Sequence, residues 1–235
     1  MIETARTSLR EQLLSQDTRL LLWDIDGTLI DTTTLIISGL DEIYRHYIGR
    51  TLERSELRKL IGIPLSAQMW ALGDPAEHGA DVGEMCREFI RYYETHRHLE
   101  RVIEPAILAL RRFHGDGVPT ALVTSKNRTE LSNTLPRLGI SKDVDLVVSA
   151  DDVKNPKPAP DSILLALKKL EAEPEDAVFI GDTVHDLQAG SAAGVRCCAV
   201  AWGAGPIEQL NGMNPDYLCI EPDQLVDTLV GRRSR

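Results

Sequence analysis

Short apolar runs alternate with helical patterns through most of this chain. The runs lie at Leu20–Trp23, Thr120–Val123, Leu146–Val148, Ala177–Ile180 and Cys197–Ala201. They are short, rich in aliphatic or β-branched residues and flanked by turn formers, which is typical of strands. Strands that are apolar on successive rather than alternate positions indicate a sheet covered on both faces.

The segments between these runs carry apolar residues at helical spacing. Helices are predicted at Glu104–Phe113, Thr129–Leu138, Pro160–Leu170 and Asp186–Ala193. Gly115, Gly139 and Gly194 follow three of them, where a helix commonly ends in a left-handed residue. Strands and helices in alternation predict parallel strands joined by helical crossovers. We therefore expect a doubly wound α/β domain.

Residues 33–98 break this alternation, because helical patterns occur there without a convincing strand. Two apolar stripes are visible, one at Ile36, Leu40, Ile43 and Tyr47 and one at Val82, Met85, Phe89, Tyr92 and His96. We expect a helical cap domain at 33–98 inserted into an α/β core made of residues 1–32 and 99–235. Ligands of open α/β sheets bind beyond the carboxyl ends of the strands, so this insertion is placed to cover the site as a lid. The alternative is a helical decoration that only stabilises the fold.

The composition limits the choice of partners. The chain has 36 acidic and 26 basic residues and a net charge of −10, which disfavours nucleic acid and anionic membrane as partners. No apolar run approaches the ~20 residues that span a membrane. The first eighteen residues contain acids and no apolar centre, so they do not resemble a secretory signal. We therefore expect a cytoplasmic protein.

The cysteines and histidines do not suggest a metal site. The four cysteines lack CxxC spacing and Cys/His metal spacing, and we expect them to be small apolar fillers. His96 and His98, two residues apart on a predicted helix, point in different directions and are expected on the solvated surface.

Polar side chains follow several predicted strands or precede a predicted helix. They are Asp24, Asp26, Thr124, Ser125, Lys157, Asp182 and Asp186. The carboxyl ends of parallel strands meet at one edge of a sheet, so we expect these side chains to converge. Each of these residues alone has an ordinary structural explanation, such as a turn or a helix cap. Their joint occurrence at successive strand ends is the informative signal.

Together these residues suit phosphate chemistry. Four carboxylates on one edge require a cation, and oxygen ligands of this kind suit Mg²⁺. Asp24 can then attack phosphorus as a nucleophile, and Asp26 can protonate the leaving oxygen and later accept a proton from water. Thr124 can bind a phosphoryl oxygen, Lys157 can neutralise the remaining charge, and Gly27 allows a tight turn after the acids.

Three further charged residues have a weaker case for a role in the site. Asp31 is followed by threonines and is expected to cap a helix rather than to bind a ligand. Lys126 and Lys154 compete with Lys157 for the neutralising role, but neither directly precedes the Pro-x-Pro helix start.

At these residues the chain resembles the haloacid dehalogenase superfamily, within it the phosphoglycolate-phosphatase-like branch with a helical cap. WDIDGTLID is similar to the first motif of that family, LVTSKN to the second, NPKPAPD to the third and FIGDTVHDLQAG to the fourth. WGAG at 202–205 matches a later WGxG pattern, and the resemblance covers roughly residues 20–230. The chain departs from relatives at Trp23, where an aliphatic residue or Phe is usual, and at 104–107, where a Pro-Gly-Val turn is usual.

The resemblance implies a Rossmann-like core, dependence on Mg²⁺ and an aspartyl-phosphate intermediate. It implies Asp24 as nucleophile and Asp26 as acid and base. The phosphate-binding candidates are Gly27, Thr124, Ser125 and Lys157, and the metal candidates are Asp24, Asp26 through its carbonyl, Asp182, and Asp186 nearby or through water.

Several functions stay open at this point. The first is hydrolysis of a small phosphorylated metabolite by a monomer or homodimer. A phosphomutase of the beta-phosphoglucomutase type shares the motifs and differs chiefly in the cap. A dehalogenase is disfavoured because relatives of that activity carry a neutral residue where Asp26 stands, and a phosphoacceptor signalling domain is disfavoured because such domains lack a lid. Arg58, Lys59, Gln68 and Trp70 are specificity candidates by position, while phosphoglycolate, a sugar phosphate, a nucleotide and pyrophosphate all stay possible substrates.

Overall fold

The computed structural model describes residues 8–14, 17–71 and 74–231 of the chain. These residues form eight strands: β1 (Leu20–Trp23), β2 (Ile30–Asp31), β3 (Arg101–Val102), β4 (Thr120–Val123), β5 (Leu146–Val148), β6 (Ala177–Gly181), β7 (Arg196–Val200) and β8 (Tyr217–Cys219). Six strands form one parallel sheet in the order β5–β4–β1–β6–β7–β8. The short strands β2 and β3 pair antiparallel beside it.

The same residues form eleven α-helices. They are α1 (Leu9–Leu14), α2 (Thr33–Tyr47), α3 (Arg54–Arg58), α4 (Leu65–Trp70), α5 (Val82–Thr95), α6 (Glu104–Gly115), α7 (Arg128–Leu138), α8 (Asp161–Lys169), α9 (Val184–Ala193), α10 (Ile207–Gly212) and α11 (Leu225–Val230).

Strand β1 lies in the middle of the sheet, between β4 and β6. All four of its side chains are buried, because successive residues of a strand point to opposite faces and both faces are covered. Leu21 and Trp23 pack into an apolar cluster with residues of α6 and α11. Leu20 and Leu22 pack on the other face with residues of α8 and α9. The sheet is therefore covered on both sides, and the predicted doubly wound α/β fold is confirmed.

The predicted elements agree closely with those observed. Four of the five predicted strands begin where the structure begins them, and the fifth is displaced by one residue, to Arg196–Val200. Gly139 and Gly194 follow α7 and α9 with φ of 62° and 77°. The expectation for Gly115 is wrong: it is the last residue of α6, and the left-handed residue is Gly117, with φ of 80°. Strand β8 was not predicted and extends the sheet by one strand beyond β7.

Residues 33–98 contain α2 to α5 and have their own apolar cluster. Helix α2 buries Ile36, Leu40 and Ile43, as its predicted stripe requires. In α5 the buried aromatic residue at the end of the stripe is Tyr93, whereas Tyr92 is only partly buried. The stripe therefore rotates by one residue from the predicted one. That this segment acts as a separate cap domain stays a prediction.

Within the described ranges, no helix combines the length and apolarity needed to cross a membrane. Cys197, Cys198 and Cys219 are buried and Cys86 is partly buried, all as free thiols.

The packing of α9 against β7 makes a testable prediction. A Cβ added to Gly190 lies 2.4 Å from the Sγ of Cys197, so Gly190→Ala should destabilise the protein by about 1–3 kcal/mol through overpacking. Gly115→Ala is the matched control, because a Cβ there meets nothing within 4 Å and a helical glycine is conformationally costly. Urea unfolding should show a loss for the first variant and no loss for the second. Equal midpoints for both variants contradict this packing.

Candidate active site

The carboxyl edge of the sheet gathers four buried charged side chains. Asp24 follows β1, Asp182 follows the last residue of β6, and Asp186 lies in the first turn of α9. Lys157 reaches this edge from the loop before α8. The exposed fractions of the four side chains are at most a few per cent: 3% for Asp24, 0% for Asp182 and Asp186 and 1% for Lys157. These side chains are distant in sequence but converge in the structure, as their positions at strand ends predict.

The ammonium group of Lys157 is paired with two of the three carboxylates. Its Nζ lies 2.7 Å from Asp24 Oδ1 and 2.6 Å from Asp186 Oδ1, and it also donates to the carbonyl oxygen of Val123 at 3.3 Å. A buried cation is costly unless it is paired and hydrogen-bonded, and here it is both. The two carboxylates raise the pKa of Lys157 in spite of its burial, so this residue stays charged.

Asp186 has a structural partner as well as a charged one. Its Oδ2 accepts from the backbone N–H of Thr183 at 2.9 Å and from the Thr183 hydroxyl at 2.6 Å, completing a capping box at the start of α9. Its Oδ1 is left for Lys157. Asp186 therefore both caps helix α9 and takes part in the charged cluster.

Asp182 is held by the loop that follows β7. Its Oδ2 accepts from the backbone N–H of Ala204 at 2.7 Å, and its Oδ1 accepts from the Thr28 hydroxyl at 3.3 Å. The approach of the two loops requires glycine. A Cβ on Gly27, which has φ of 74°, lies 2.1 Å from Asp182 Oδ2, and a Cβ on Gly203 lies 2.2 Å from the same atom. Gly27 thus allows close approach as well as the predicted turn.

The donor set fits a divalent cation. Oxygen atoms of Asp24, Asp182 and Asp186 all lie within 4.8 Å of one another, and the one ammonium of Lys157 leaves this group short of positive charge. Buried carboxylates without nitrogen or sulfur ligands suit a hard ion such as Mg²⁺. Asp26 is not a member of this side-chain group.

Two of these carboxyl groups are hard to ionise without a cation. Burial raises the pKa of Asp24 from 3.8 to about 7, with Lys157 opposing the shift and Asp186 adding to it. Burial, followed by repulsion from Asp186 and Asp24, raises the pKa of Asp182 well above its ordinary value. Perturbed acids that cluster at a strand edge mark a functional site.

Asp26 is fixed by a second lysine. Lys126 Nζ lies 2.9 Å from Asp26 Oδ2, and the Thr32 hydroxyl donates to Asp26 Oδ1 at 2.8 Å. Lys126 is itself buried and lies over the ring of Tyr93, with Nζ 4.9 Å from the ring centre. Lys126, an alternative to Lys157 in the sequence analysis, is thus part of the site, but it contacts Asp26 rather than the acids that Lys157 contacts. Lys154 is exposed.

The two hydroxyl residues after β4 have different surroundings. Thr124 is buried and its Oγ1 accepts from the backbone N–H of Lys126 at 3.2 Å. The hydroxyl of Ser125 donates to the carbonyl oxygen of Gly62 at 2.6 Å, which joins the strand edge to the helical segment. Asp31 lies outside the group, and its Oδ1 accepts from the backbone N–H of Thr33 at the start of α2.

Residues 33–98 touch the site edge at further points. The Arg58 guanidinium donates to the carbonyl oxygens of Gly203 (3.0 Å) and Ala204. The His185 ring nitrogen Nε2 donates to the carbonyl oxygen of Lys59 at 3.2 Å. Of the other specificity candidates, Gln68 is buried, while Trp70 is 51% exposed.

A small cavity of about 30 Å³ lies between the helical segment and the strand edge. Asp24, Asp26, Thr124, Ser125, Lys126 and Glu130 line it from the sheet side, and residues of α2, α4, α5 and the turn at 61–63 line it from the other. Sequence reasoning missed Tyr93 and Glu130 here. Tyr93 lies outside the predicted apolar stripe of α5, and Glu130 carries the signal of a capping-box residue, a role that it has for Asn127.

Comparison with known proteins identifies the family. The Haloacid dehalogenase-like hydrolase family matches residues 21–200. A pyrophosphatase PpaX from Bacillus velezensis is 34% identical over 203 residues, which cover 84% of this chain and 90% of that one. A pyrophosphatase PpaX from Halalkalibacterium halodurans is 31% identical over 219 residues, covering 91% and 97%. The chain therefore belongs to the haloacid dehalogenase-like hydrolases, and the resemblance stated from its motifs is confirmed.

Solved structures support the same fold. A hydrolase from Pseudomonas syringae matches with a TM-score of 0.81 at 21% identity, covering 92% of this chain and 100% of that one. CbbY from Rhodobacter sphaeroides in complex with phosphate matches with a TM-score of 0.75 at 23% identity, covering 88% and 96%.

The raised pKa of Asp24 predicts how stability depends on pH without metal. The folded state holds the Asp24 proton up to about pH 7, whereas the unfolded chain loses it near 3.8. The contribution to the unfolding free energy is therefore full below 3.8 and is lost as pH rises through about 7. Between about pH 5 and about pH 8, wild-type protein in EDTA should lose more thermal stability than Asp24→Asn, which cannot ionise there. The same pH dependence of thermal stability in both proteins contradicts a raised pKa at Asp24.

Proposed function

We propose that this protein is a Mg²⁺-dependent phosphatase that cleaves a small phosphate ester or anhydride through an aspartyl-phosphate on Asp24. The observation that carries the proposal is the convergence of Asp24, Asp182 and Asp186, with Lys157 paired to the first and the third and Asp26 held separately by Lys126. This arrangement separates a nucleophile in a cation-binding cluster from an acid that faces the adjoining cavity.

Asp24 is the proposed nucleophile. Its carboxylate lines the cavity, and one oxygen is held by Lys157. Attack of a carboxylate oxygen on phosphorus forms a P–O bond to Asp24 and breaks the bond to the leaving oxygen. Water then attacks the phosphorus of the aspartyl-phosphate, releases phosphate and restores the carboxylate.

Asp26 is the proposed general acid and base. It lines the same cavity as Asp24, and Lys126 and Thr32 fix the orientation of its two oxygens. In its protonated form it gives a proton to the leaving oxygen, and the resulting carboxylate takes a proton from the attacking water. One residue thereby serves both half-reactions.

Thr124, Gly27, Ser125 and Lys157 are the proposed phosphate-binding residues. Thr124 lines the cavity beside Asp24, and Lys157 places a buried positive charge against that carboxylate. The Ser125 hydroxyl donates a hydrogen bond to the carbonyl oxygen of Gly62, so its contact with phosphate requires the helical segment to move. A positive charge and donors in a dry site stabilise the charge that develops on phosphoryl oxygens.

Asp24, Asp182 and the carbonyl group of Asp26, with Asp186 nearby, are proposed to hold Mg²⁺. When bound, Mg²⁺ supplies positive charge that offsets the carboxylates and the phosphoryl oxygens of the substrate. The raised pKa values of Asp24 and Asp182 support this, because both groups need such a charge in order to ionise.

The helical segment 33–98 is proposed to act as the cap. Its hydrogen bonds to the strand edge run through Ser125, His185 and Arg58, and such bonds can break and re-form as a surface opens and closes. The cavity of about 30 Å³ is too small for a phosphate ester or for pyrophosphate. Substrate entry therefore requires opening, and closure excludes bulk water.

A small substrate and hydrolysis are favoured over a phosphomutase. A mutase must hold a released intermediate and return it turned around, and the helical side of the cavity offers Gln68 and Tyr93 among mostly apolar residues rather than a dense cluster of polar groups. The named activity of the PpaX relatives, pyrophosphatase, makes inorganic pyrophosphate a candidate beside phosphoglycolate. We further propose a cytoplasmic location and a monomer or homodimer.

Removal of metal should abolish activity. Phosphate release from a panel of small phosphate esters and pyrophosphate should stop in EDTA and return when excess Mg²⁺ is added, since the buried acids need the cation. Circular dichroism in EDTA checks that the fold is kept. Full turnover in metal-free buffer contradicts the proposal.

Substitution of the two acids should affect turnover unequally. Asp24→Asn should abolish phosphate release, because an amide of nearly the same shape is a poor nucleophile, whereas Asp26→Asn should lower kcat by ~10²–10⁴-fold. Asp31→Asn is the matched control, a nearby acid outside the cluster, and should turn over like the wild type. A wild-type rate in Asp24→Asn rules out the covalent mechanism.

A further inference from the structure

Two polar groups that line the cavity beneath the helical segment have hydrogen-bonding capacity that no described residue uses. They are Oε1 of Gln68, on α4, and the hydroxyl of Tyr93, on α5. Both side chains are more than nine-tenths buried, with exposed fractions of 6% and 7%. Unused hydrogen-bonding capacity in a buried group is costly, so a group that enters the cavity is needed as the partner.

The geometry of Gln68 defines the kind of partner that it requires. Its amide Nε2 donates to the carbonyl oxygen of Ile63 at 3.0 Å, which fixes the orientation of the side chain. The remaining oxygen atom can only accept a hydrogen bond. The ligand must therefore present a donor to Gln68.

Tyr93 requires the opposite partner. Burial raises the pKa of Tyr93 to about 12, so the phenol keeps its proton and can donate it. The neighbouring ammonium of Lys126 is itself a donor and cannot accept that proton. The ligand must therefore present an acceptor oxygen to Tyr93.

The rest of the cavity limits the size of the ligand. Ile36, Ile61, Leu65 and Phe89 supply apolar walls, and Asp24 and Asp26 face the same space from the sheet. Because Asp26 is the group proposed to protonate the leaving oxygen, the part of the substrate beside Gln68 and Tyr93 is the leaving group.

We propose that Gln68 and Tyr93 select substrates whose compact leaving group carries a hydroxyl group, on carbon or on phosphorus, together with an acceptor oxygen. This inference rests on the proposed phosphatase function and adds the chemical class of its substrate. The hydroxyl donates to Gln68 Oε1 while an oxygen of the same leaving group accepts from Tyr93. A leaving group that is apolar leaves both buried atoms unpaired, even in the closed form.

Matched phosphate compounds test the proposal. Ethyl phosphate offers no hydroxyl on its leaving group, 2-hydroxyethyl phosphate offers one on carbon, and pyrophosphate offers one on phosphorus. With Mg²⁺, wild-type kcat/KM for 2-hydroxyethyl phosphate or for pyrophosphate should exceed that for ethyl phosphate by about 10- to 100-fold, the usual effect of one or two buried hydrogen bonds. The preferred compound of the two identifies the source of the hydroxyl.

Two variants assign the preference to these residues. Gln68→Met keeps the length of the side chain and removes the acceptor, and Tyr93→Phe removes the donor. Each should reduce the preference toward unity, because the compounds that carry a hydroxyl on the leaving group lose more kcat/KM than ethyl phosphate, which uses neither group. Trp70→Phe, on the exposed side of α4, should keep the wild-type preference.

The outcomes separate this inference from the function on which it rests. Hydrolysis of all three compounds without preference overturns the inference alone, as does an equal loss on every compound in both variants. Absence of hydrolysis of any compound by folded wild-type protein overturns the proposed function as well.

Discussion

A buried ammonium group between carboxylates is the constraint on which the rest of this structure depends. Lys157 pairs with Asp24 and Asp186, yet Asp182 adds a third buried acid that it does not pair with. Uncompensated buried charge is strongly destabilising, so the surrounding chain must supply donors. The Ala204 N–H and the Thr183 capping box do so, and glycine at 27 and 203 lets these loops approach closely enough.

The same loop links the acid cluster to the helical segment. The Ala204 N–H holds Asp182, while the carbonyl oxygens of Gly203 and Ala204 accept from Arg58. Ala204 also belongs to the apolar cluster of residues 33–98. Movement of this segment therefore acts on the loop that orients a proposed metal ligand. The position of this segment and the geometry of the charged site are thus linked through one short stretch of backbone.

Much of the fold and the charged cluster could be predicted from sequence, for definite physical reasons. Strands buried on both faces are apolar throughout, and parallel topology brings their ends to one edge, so the position of Asp182 beside Asp24 follows. Strand β8 was not predicted, because so short an apolar run carries little periodic signal. The distinction between Tyr92 and Tyr93 depends on how α5 rotates against α2, which tertiary packing decides. The pairing of Lys126 with Asp26 depends likewise on side-chain reach.

Chemical trapping at Asp24 tests the central claim most directly. Enzyme quenched in acid during turnover of a hydrolysed substrate should contain an acyl phosphate, which borohydride reduces at the carbonyl carbon. Mass spectrometry of the peptide that contains residues 20–32 should then find homoserine in place of Asp24 and unchanged Asp26. Homoserine at position 26, or no reduced residue during steady turnover, contradicts the assignment of Asp24 as the nucleophile.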